Sequence, residues 1–297
     1  MTDISLLVCT RNRSPQLAAT LASIDRAIHG APHLKIEVVV VDNGSTDDTA
    51  DRLTAWSAER PFPVHLVHEP RPGLARARNI AMARASGRIV AMTDDDCVLD
   101  NGYFRQLATC FADVTGPAII GGRILLGDPA DLPVTVKLED HPMIAPWDMF
   151  PGGFVMGANL AMTADAIARI GRFDERFGAG ARFVSAEDTD FLFRALGQNI
   201  PVRYDPRFTV NHHHGRRCPD EVVRLLAGYS YGDGALYAKH FLRDHRVVKA
   251  IYNDIRNLMP GRNEAVTSFS GIQNFYLFVL RFKVKGFFSY LKMAVPL

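Results

Sequence analysis

Cysteine is scarce and dispersed in this 297-residue sequence: Cys9, Cys97, Cys110 and Cys218 stand far apart, with no C-x-x-C pair. That spacing argues against a disulfide framework and against a zinc ribbon. Charge of one sign is also lacking. A net charge of +2 gives no global basic field of the kind nucleic-acid binding draws on, so no nucleic-acid partner is expected. No segment is apolar enough for a membrane span. The last one, 275–297, is rich in aromatic and aliphatic residues but carries Arg281, Lys283, Lys285 and Lys292, charges that a spanning helix would have to bury. The opening stretch, MTDISLLVCTRN, has no basic leader, and the expected location is cytoplasmic. Internal repeats and low-complexity tracts are absent. With 47% hydrophobic and 22% charged residues the composition is ordinary for a globular protein, so function has to be sought in local sites.

What is present is an alternation of two periodicities. Short apolar runs of strand length occupy 4–9, 36–41, 64–68 and 88–93. Between them lie helical patterns. Ser14-Pro15 supplies an N-cap and a first-turn proline for a helix with Leu17, Leu21, Ile24 and Ile28 on one face, and others are expected around Leu53 and Trp56, over 73–85 and over 103–111. Strands alternating with helices at this spacing predict an α/β fold with a parallel, doubly wound sheet and right-handed crossovers. Beyond it, a strand is expected over 118–126, a long loop over 127–151, an extended segment over 154–163, and helices over 164–170 and 187–196.

Three carboxylates, Asp94, Asp95 and Asp96, follow directly on the fourth strand. Packed that closely they repel one another unless a cation binds them. Ligands of open α/β sheets gather at the carboxyl ends of strands, and hard divalent metals such as Mg²⁺ take oxygen ligands together with bound phosphates. The same run also suits a plain turn or helix cap. At the first strand end, Thr10-Arg11-Asn12-Arg13 contains no glycine, which argues against the G-x-G-x-x-G loop of an NAD or FAD enzyme. Arg11 or Arg13 can still meet phosphate through the side chain. Asp42, at the second strand end, is placed either to accept hydrogen bonds from a base or ribose or to cap its turn. Arg78, in a helix led by Gly73, is a cation that would complement a diphosphate. A second acidic cluster, Glu187-Asp188-Thr189-Asp190, reads in two ways. With Ser185 as N-cap it favours a helix start. Beside the glycine-containing loop 173–180 it can supply a general base for an attacking hydroxyl. Of the three successive histidines, His212 and His214 share one face of an extended chain and His213 the other. One of them could ligate a metal held by the aspartates or bond a phosphate.

Taken together, Thr10-x-Asn-Arg13, Val41-Asp42-Asn43-Gly44-Ser45-Thr46-Asp47, Gly73-Leu74-Ala75-x-Ala77-Arg78-Asn79, Asp94-Asp95-Asp96 and Glu187-Asp188 closely resemble the family 2 nucleotide-diphosphosugar glycosyltransferases with the GT-A fold, in order and spacing over 3–215. The resemblance implies a GT-A-type, mostly parallel sheet with a Rossmann-like nucleotide-sugar half (1–112), an acceptor half (113–215) and a C-terminal helical extension (216–297). It implies an inverting transfer from a UDP-, GDP- or dTDP-sugar donor to a saccharide or lipid-linked saccharide acceptor, dependent on Mg²⁺ or Mn²⁺, in bacterial surface-polysaccharide assembly. By that resemblance Asp42 would bind the nucleobase, Asp94 the ribose and Asp96 the metal. Asp95 could substitute for a neighbour in the D-x-D register. Asp188 would be the base, Glu187 would orient the acceptor, and His212 would touch metal or diphosphate. The Q-x-x-R-W motif of processive synthases does not follow Glu187-Asp188, which favours transfer of a single sugar. Two rivals remain: a sugar-phosphate nucleotidyltransferase, which would need a glycine-rich first loop, and a non-catalytic nucleotide- or carbohydrate-binding module. On a helical wheel Arg281, Lys285 and Lys292 fall in one arc and Lys283 elsewhere, an arrangement suited to a helix lying peripherally on an anionic membrane surface. A terminal helix packed on its own domain or on a second subunit would read the same way.

Overall fold

Valine, isoleucine and leucine dominate the runs that become the centre of the sheet. β1 (Ile4–Thr10), β2 (Ile36–Asp42) and β4 (Ile89–Asp94) are buried along nearly their whole length, as strands covered on both faces must be. A computed structural model describes residues 2–259, 268–269 and 272–294. In it these strands and the edge strand β3 (Val64–His68) pair in parallel in the order β3-β2-β1-β4. The helices α1 (Ser14–His29), α2 (Thr49–Ala58) and α3 (Leu74–Arg84) form the crossovers. After the short strand β5 (Cys97–Leu99) and helix α4 (Tyr103–Cys110) come β6 (Ile119–Leu126), β7 (Met143–Ile144) and β8 (Asn159–Thr163). α5 (Ala164–Ile170), α6 (Glu187–Gly197) and β9 (Val202–His212) complete this half. β8 inserts antiparallel between β4 and β6, β6 and β9 are parallel, and β5 and β7 pair antiparallel with β9. The chain then turns helical, through α7 (Pro219–His240), α8 (His245–Arg256), the hairpin strands β10 (Ser268–Phe269) and β11 (Ile272–Gln273), and α9 (Phe275–Ala294).

Apolar side chains fill both faces of the sheet. One layer joins Leu17, Leu21 and Ile24 of α1 to Phe104 and Leu107 of α4. The other joins Ala77 and Ala81 of α3 to Phe191 and Leu192 of α6. A third cluster, built on Phe177, Phe183, Phe193, Leu236, Val247 and Tyr290, fastens α7, α8 and α9 to the loop that leads into α6.

Several local expectations need correction. The extended segment foreseen over 154–163 is strand only from Asn159 onward, because Pro151, Gly152 and Gly153 open it as a turn. The long loop over 127–151 contributes β7 to the sheet. Ser185 does not cap α6. Ala186 occupies that position in the left-handed region (φ 69°), and the Ser185 hydroxyl donates to the Gly228 carbonyl of α7 instead. Lys283, by contrast, stands apart from Arg281, Lys285 and Lys292 as the helical wheel expects. Its ammonium is buried against Asp254 and the Tyr237 hydroxyl, both at 2.8–2.9 Å.

Candidate active site

Two acidic groups nearly a hundred residues apart in sequence meet at one cavity of about 530 Å³. β4 ends at Asp94, with Asp95 and Asp96 in the turn that follows, and α6 begins with Glu187 and Asp188. The link between them is Arg78 of α3. Its guanidinium donates to Glu187 Oε1 at 2.8 Å and to Asp94 Oδ1 at 3.1 Å. Arg78 is only 3% exposed, and a β-carbon at Gly157 would stand 2.6 Å from it, so glycine is what lets the chain pass over the fork. Arg78 lines the cavity, and two of its five N–H donors are spent on the protein's own carboxylates. Burial opposes its charge, yet Glu187, Asp94 and Asp188 together raise its pKa. Burial, then the neighbouring Asp188, push the Glu187 carboxyl up to about 7 against the pull of Arg78. Asp188 is held by backbone: Gly157 N–H donates to Oδ2 at 2.9 Å and Thr189 N–H to Oδ1 at 2.7 Å.

At the opposite end of the acidic run, Asp96 accepts from Arg13 at 2.8 Å and lies 3.2 Å from His212 Nε2. β5 makes this possible by pairing Cys97 with His212, which brings the end of β9 alongside the aspartates. Burial pushes the Asp96 carboxyl up, but the His212 hydrogen bond and the charges of His212 and Arg13 outweigh it and hold the group below the usual carboxylate range. Burial lowers the His212 pKa, and Asp96 more than reverses that. Thr135, in the long loop, sets the ring: His212 Nδ1 lies 3.3 Å from its carbonyl oxygen and 3.2 Å from its hydroxyl. A ring that donates from Nδ1 to a carbonyl presents Nε2 as the ligating atom. Asp96, His212 and Cys97 place one ligand atom each within 4.8 Å of one another. Burial drives the Cys97 thiol well above its ordinary pKa, and thiolate suits softer metals, so Asp96 and His212 are the pair that fits a hard ion. Such a pair suits a hard divalent metal that draws its remaining ligands from water and phosphate. Asp95 behaves differently: burial first, then Asp96 and Asp94, raise it to about 6 despite the Thr10 hydroxyl and Arg13.

Thr10 ends β1, lines the cavity, and keeps its hydroxyl buried beside the Asp95 carboxyl. Arg11 and Arg13 also line it. Asp42 sits one strand over, opposite Thr10, outside the lining. Its oxygens accept from Ser45 N–H at 3.0 Å and approach His68 Nδ1 at 2.9 Å.

Residues 5–141 match the family model described as glycosyl transferase family 2. Over that stretch, just under half of its length, the chain is similar to the family 2 glycosyl transferases. Among curated relatives, the succinoglycan biosynthesis protein ExoM of Rhizobium meliloti is 28% identical over 190 residues, 64% of this chain and 60% of that protein. The pre-mycofactocin glycosyltransferase of Mycobacterium tuberculosis is 25% identical over 249 residues, 80% of this chain and 48% of that protein. The chain thus spans about half to three-fifths of the length of these relatives. Among solved structures, the mannosyltransferase PcManGT from Pyrobaculum calidifontis, in complex with GDP-Man and Mn²⁺, superposes with a TM-score of 0.65 at 18% identity, over 97% of this chain and 86% of that one. S. aureus TarS 1–349 in complex with UDP-GlcNAc gives 0.55 at 14% identity, over 99% and 92%. The fold is therefore the GT-A type, with a mostly parallel sheet and a helical C-terminus.

Among the cavity residues that escaped the sequence reading are Arg216, just before α7, and Leu225, Tyr229 and Asp233 along α7. The signal was there for three of them, since Leu225, Tyr229 and Asp233 repeat at the four-residue spacing that aligns side chains along a helix.

Proposed function

We propose that this chain transfers a single sugar, with inversion, from a nucleotide-diphosphate sugar to a hydroxyl of a saccharide or lipid-linked saccharide. The observation that carries the reading is Arg78 clamped between Asp94 and Glu187, which ties the metal end and the base end of one cavity into a single rigid unit. Donor binding falls to the strand-end side, where Thr10, Arg11, Arg13, Asp94 and Asp95 line the wall and Asp42 stands beside them for the base. Asp96 and His212 would hold Mg²⁺ or Mn²⁺. Bound there, the ion offsets charge on the leaving diphosphate. Asp188, fixed by two backbone N–H groups, accepts the proton of the acceptor hydroxyl as that oxygen attacks from the face opposite the leaving group. Glu187, held by Arg78, keeps α6 oriented so that Asp188 faces the cavity. A nucleotide-sugar half over 1–112, an acceptor half over 113–215 and a helical extension over 216–297 follow from this division of labour. The names of ExoM, PcManGT and TarS and their ligands support a nucleotide-sugar donor and a role in polysaccharide or glycoconjugate synthesis. No helix among the described residues is long and apolar enough to cross a membrane, and we take α9 to rest peripherally on an anionic membrane surface at the cytoplasmic side.

The test separates binding from chemistry. Asp96→Ala is expected to abolish Mg²⁺- or Mn²⁺-dependent binding of UDP and GDP in calorimetry. Asp188→Asn is expected to retain that binding and to lose transfer by on the order of a hundredfold or more. Transfer undiminished in Asp188→Asn would remove it as the base. Metal-dependent nucleotide binding with no turnover of any UDP-, GDP- or dTDP-sugar would make the chain a binding module.

A further inference from the structure

Helix α7 turns a stripe of Leu225, Tyr229 and Asp233 to the cavity that holds Glu187 and Asp188. Two close approaches fix which way the stripe faces. A β-carbon at Gly232 would stand 2.2 Å from the Ser185 hydroxyl, and one at Gly234 would stand 1.9 Å from the Lys283 carbonyl oxygen of α9. The helix is thus wedged between the segment entering α6 and the terminal helix, and it cannot rotate without a clash on one side or the other. Asp233 lies between these two glycines and faces the cleft. Among the described residues its carboxylate has no hydrogen-bond or ion-pair partner. Burial pushes that carboxyl up to about 6. Lys283 opposes the rise, and the charges of Asp254 and Asp188 add to it. A half-buried carboxylate left without a partner in a cavity wall is free to accept from a ligand's donors. One turn earlier, Tyr229 leaves 41% of its surface uncovered, on the same lining.

The other end of the cavity is already taken up by groups suited to phosphate and metal, namely Arg13, Asp96 and His212. The α7 stripe stands on the α6 side, close enough for the Asp188 charge to act on both Asp233 and Tyr229. What an acid acceptor and an uncovered aromatic ring recognise together is a sugar: adjacent hydroxyls donate to the carboxylate, and the apolar face of the ring packs on the aromatic surface. We propose that Tyr229 and Asp233 form the acceptor subsite, binding a saccharide whose reactive hydroxyl is thereby presented to Asp188. This rests on the glycosyl-transfer reading and assigns α7, from the helical extension, a direct part in specificity.

Saturation-transfer NMR with Mg²⁺ tests it, using UDP and GDP as nucleotide probes and the methyl glycosides of glucose, galactose and mannose as saccharide probes. The wild-type chain is expected to bind a nucleotide and at least one glycoside. Asp233→Asn, which keeps the shape, and Tyr229→Ala are each expected to keep nucleotide affinity within twofold and to weaken the glycoside tenfold or more. Unchanged glycoside affinity in both variants overturns the proposal. So does a wild-type chain that binds nucleotide but no glycoside, or a loss of both ligands together in Asp233→Asn, which would make the residue a support of the fold. A wild-type chain that binds neither UDP nor GDP would instead sink the transfer reading on which the subsite depends.

Discussion

Arg78 is where one side chain decides whether the site exists. Its planar fork reaches Glu187 and Asp94 at once, a geometry that the point charge of lysine does not reproduce. Arg78→Ala would leave Glu187 buried without its counter-charge, and breaking a buried pair in this way costs roughly 3–5 kcal/mol. The cost depends on pH in a defined direction. The Glu187 carboxyl is already raised above its ordinary value of 4.5, to about 7, and loss of Arg78 raises it further. A group whose folded-state pKa exceeds its unfolded value favours the folded state below the unfolded pKa and loses that contribution as pH rises through the folded pKa. The variant's deficit relative to wild type should therefore be small near pH 5 and grow towards pH 8 in urea unfolding. A deficit of equal size at both pH values would mean that Glu187 is not the group left stranded. The sequence singled out Arg78 but not its partners, because a lone arginine on a helix carries no mark of which carboxylates fold back onto it.

At the scale of the element, α6 is held by its own fourth residue. Asp190 is fully buried and accepts from Arg194 at 2.9 Å, from Lys239 at 2.6 Å and, on the same oxygen, approaches His240 Nε2 at 2.8 Å. These contacts bind the helix that carries Glu187 and Asp188 to α7. Burial pushes the Asp190 carboxyl up, but His240, Lys239 and Arg194 together hold it down at about 2. A depressed carboxyl stabilises the fold above its ordinary pKa, and that contribution is lost as pH falls through the depressed value. Asp190→Asn is expected to cost about 3 kcal/mol at neutral pH, with the gap to wild type closing as pH falls from about 4 towards 2. A thermal or urea comparison in which the gap persists at pH 2 would contradict this. In sequence Asp190 was one more acid in a cluster, and nothing distinguished the structural member from the site residues. Strand and helix order was legible because buried parallel strands leave continuous apolar runs, as in Ile36–Asp42. β5 and β7 were not, since pieces of three and two residues carry no periodicity and are set by pairing with β9.

The whole molecule brings the two readings of its last helix together. α9 packs on α7 through an inward face that includes Gly286, Tyr290 and the Lys283 paired with Asp254. Its opposite face leaves Leu277, Arg281, Val284, Lys285, Phe288, Leu291 and Lys292 exposed, and the helix contains no acidic residue. A terminal helix packed on its own domain and a basic, apolar surface strip are thus the two sides of one element. The wheel drawn from sequence separated Lys283 from the other three cations correctly, but only packing against Asp254 gives that separation its meaning. Apolar side chains of this kind insert at the headgroup boundary while lysine and arginine meet anionic lipid, at about 1 kcal/mol per cation near the surface. The triple variant Arg281→Glu, Lys285→Glu, Lys292→Glu leaves the inward face untouched, so it is expected to fold as wild type does. Co-sedimentation with vesicles containing phosphatidylserine should then fall by roughly two orders of magnitude in partition coefficient, and wild-type binding should weaken as salt is added. If the variant sediments with anionic vesicles as wild type does, or if neither is retained at low salt, the outward face of α9 is not a membrane contact.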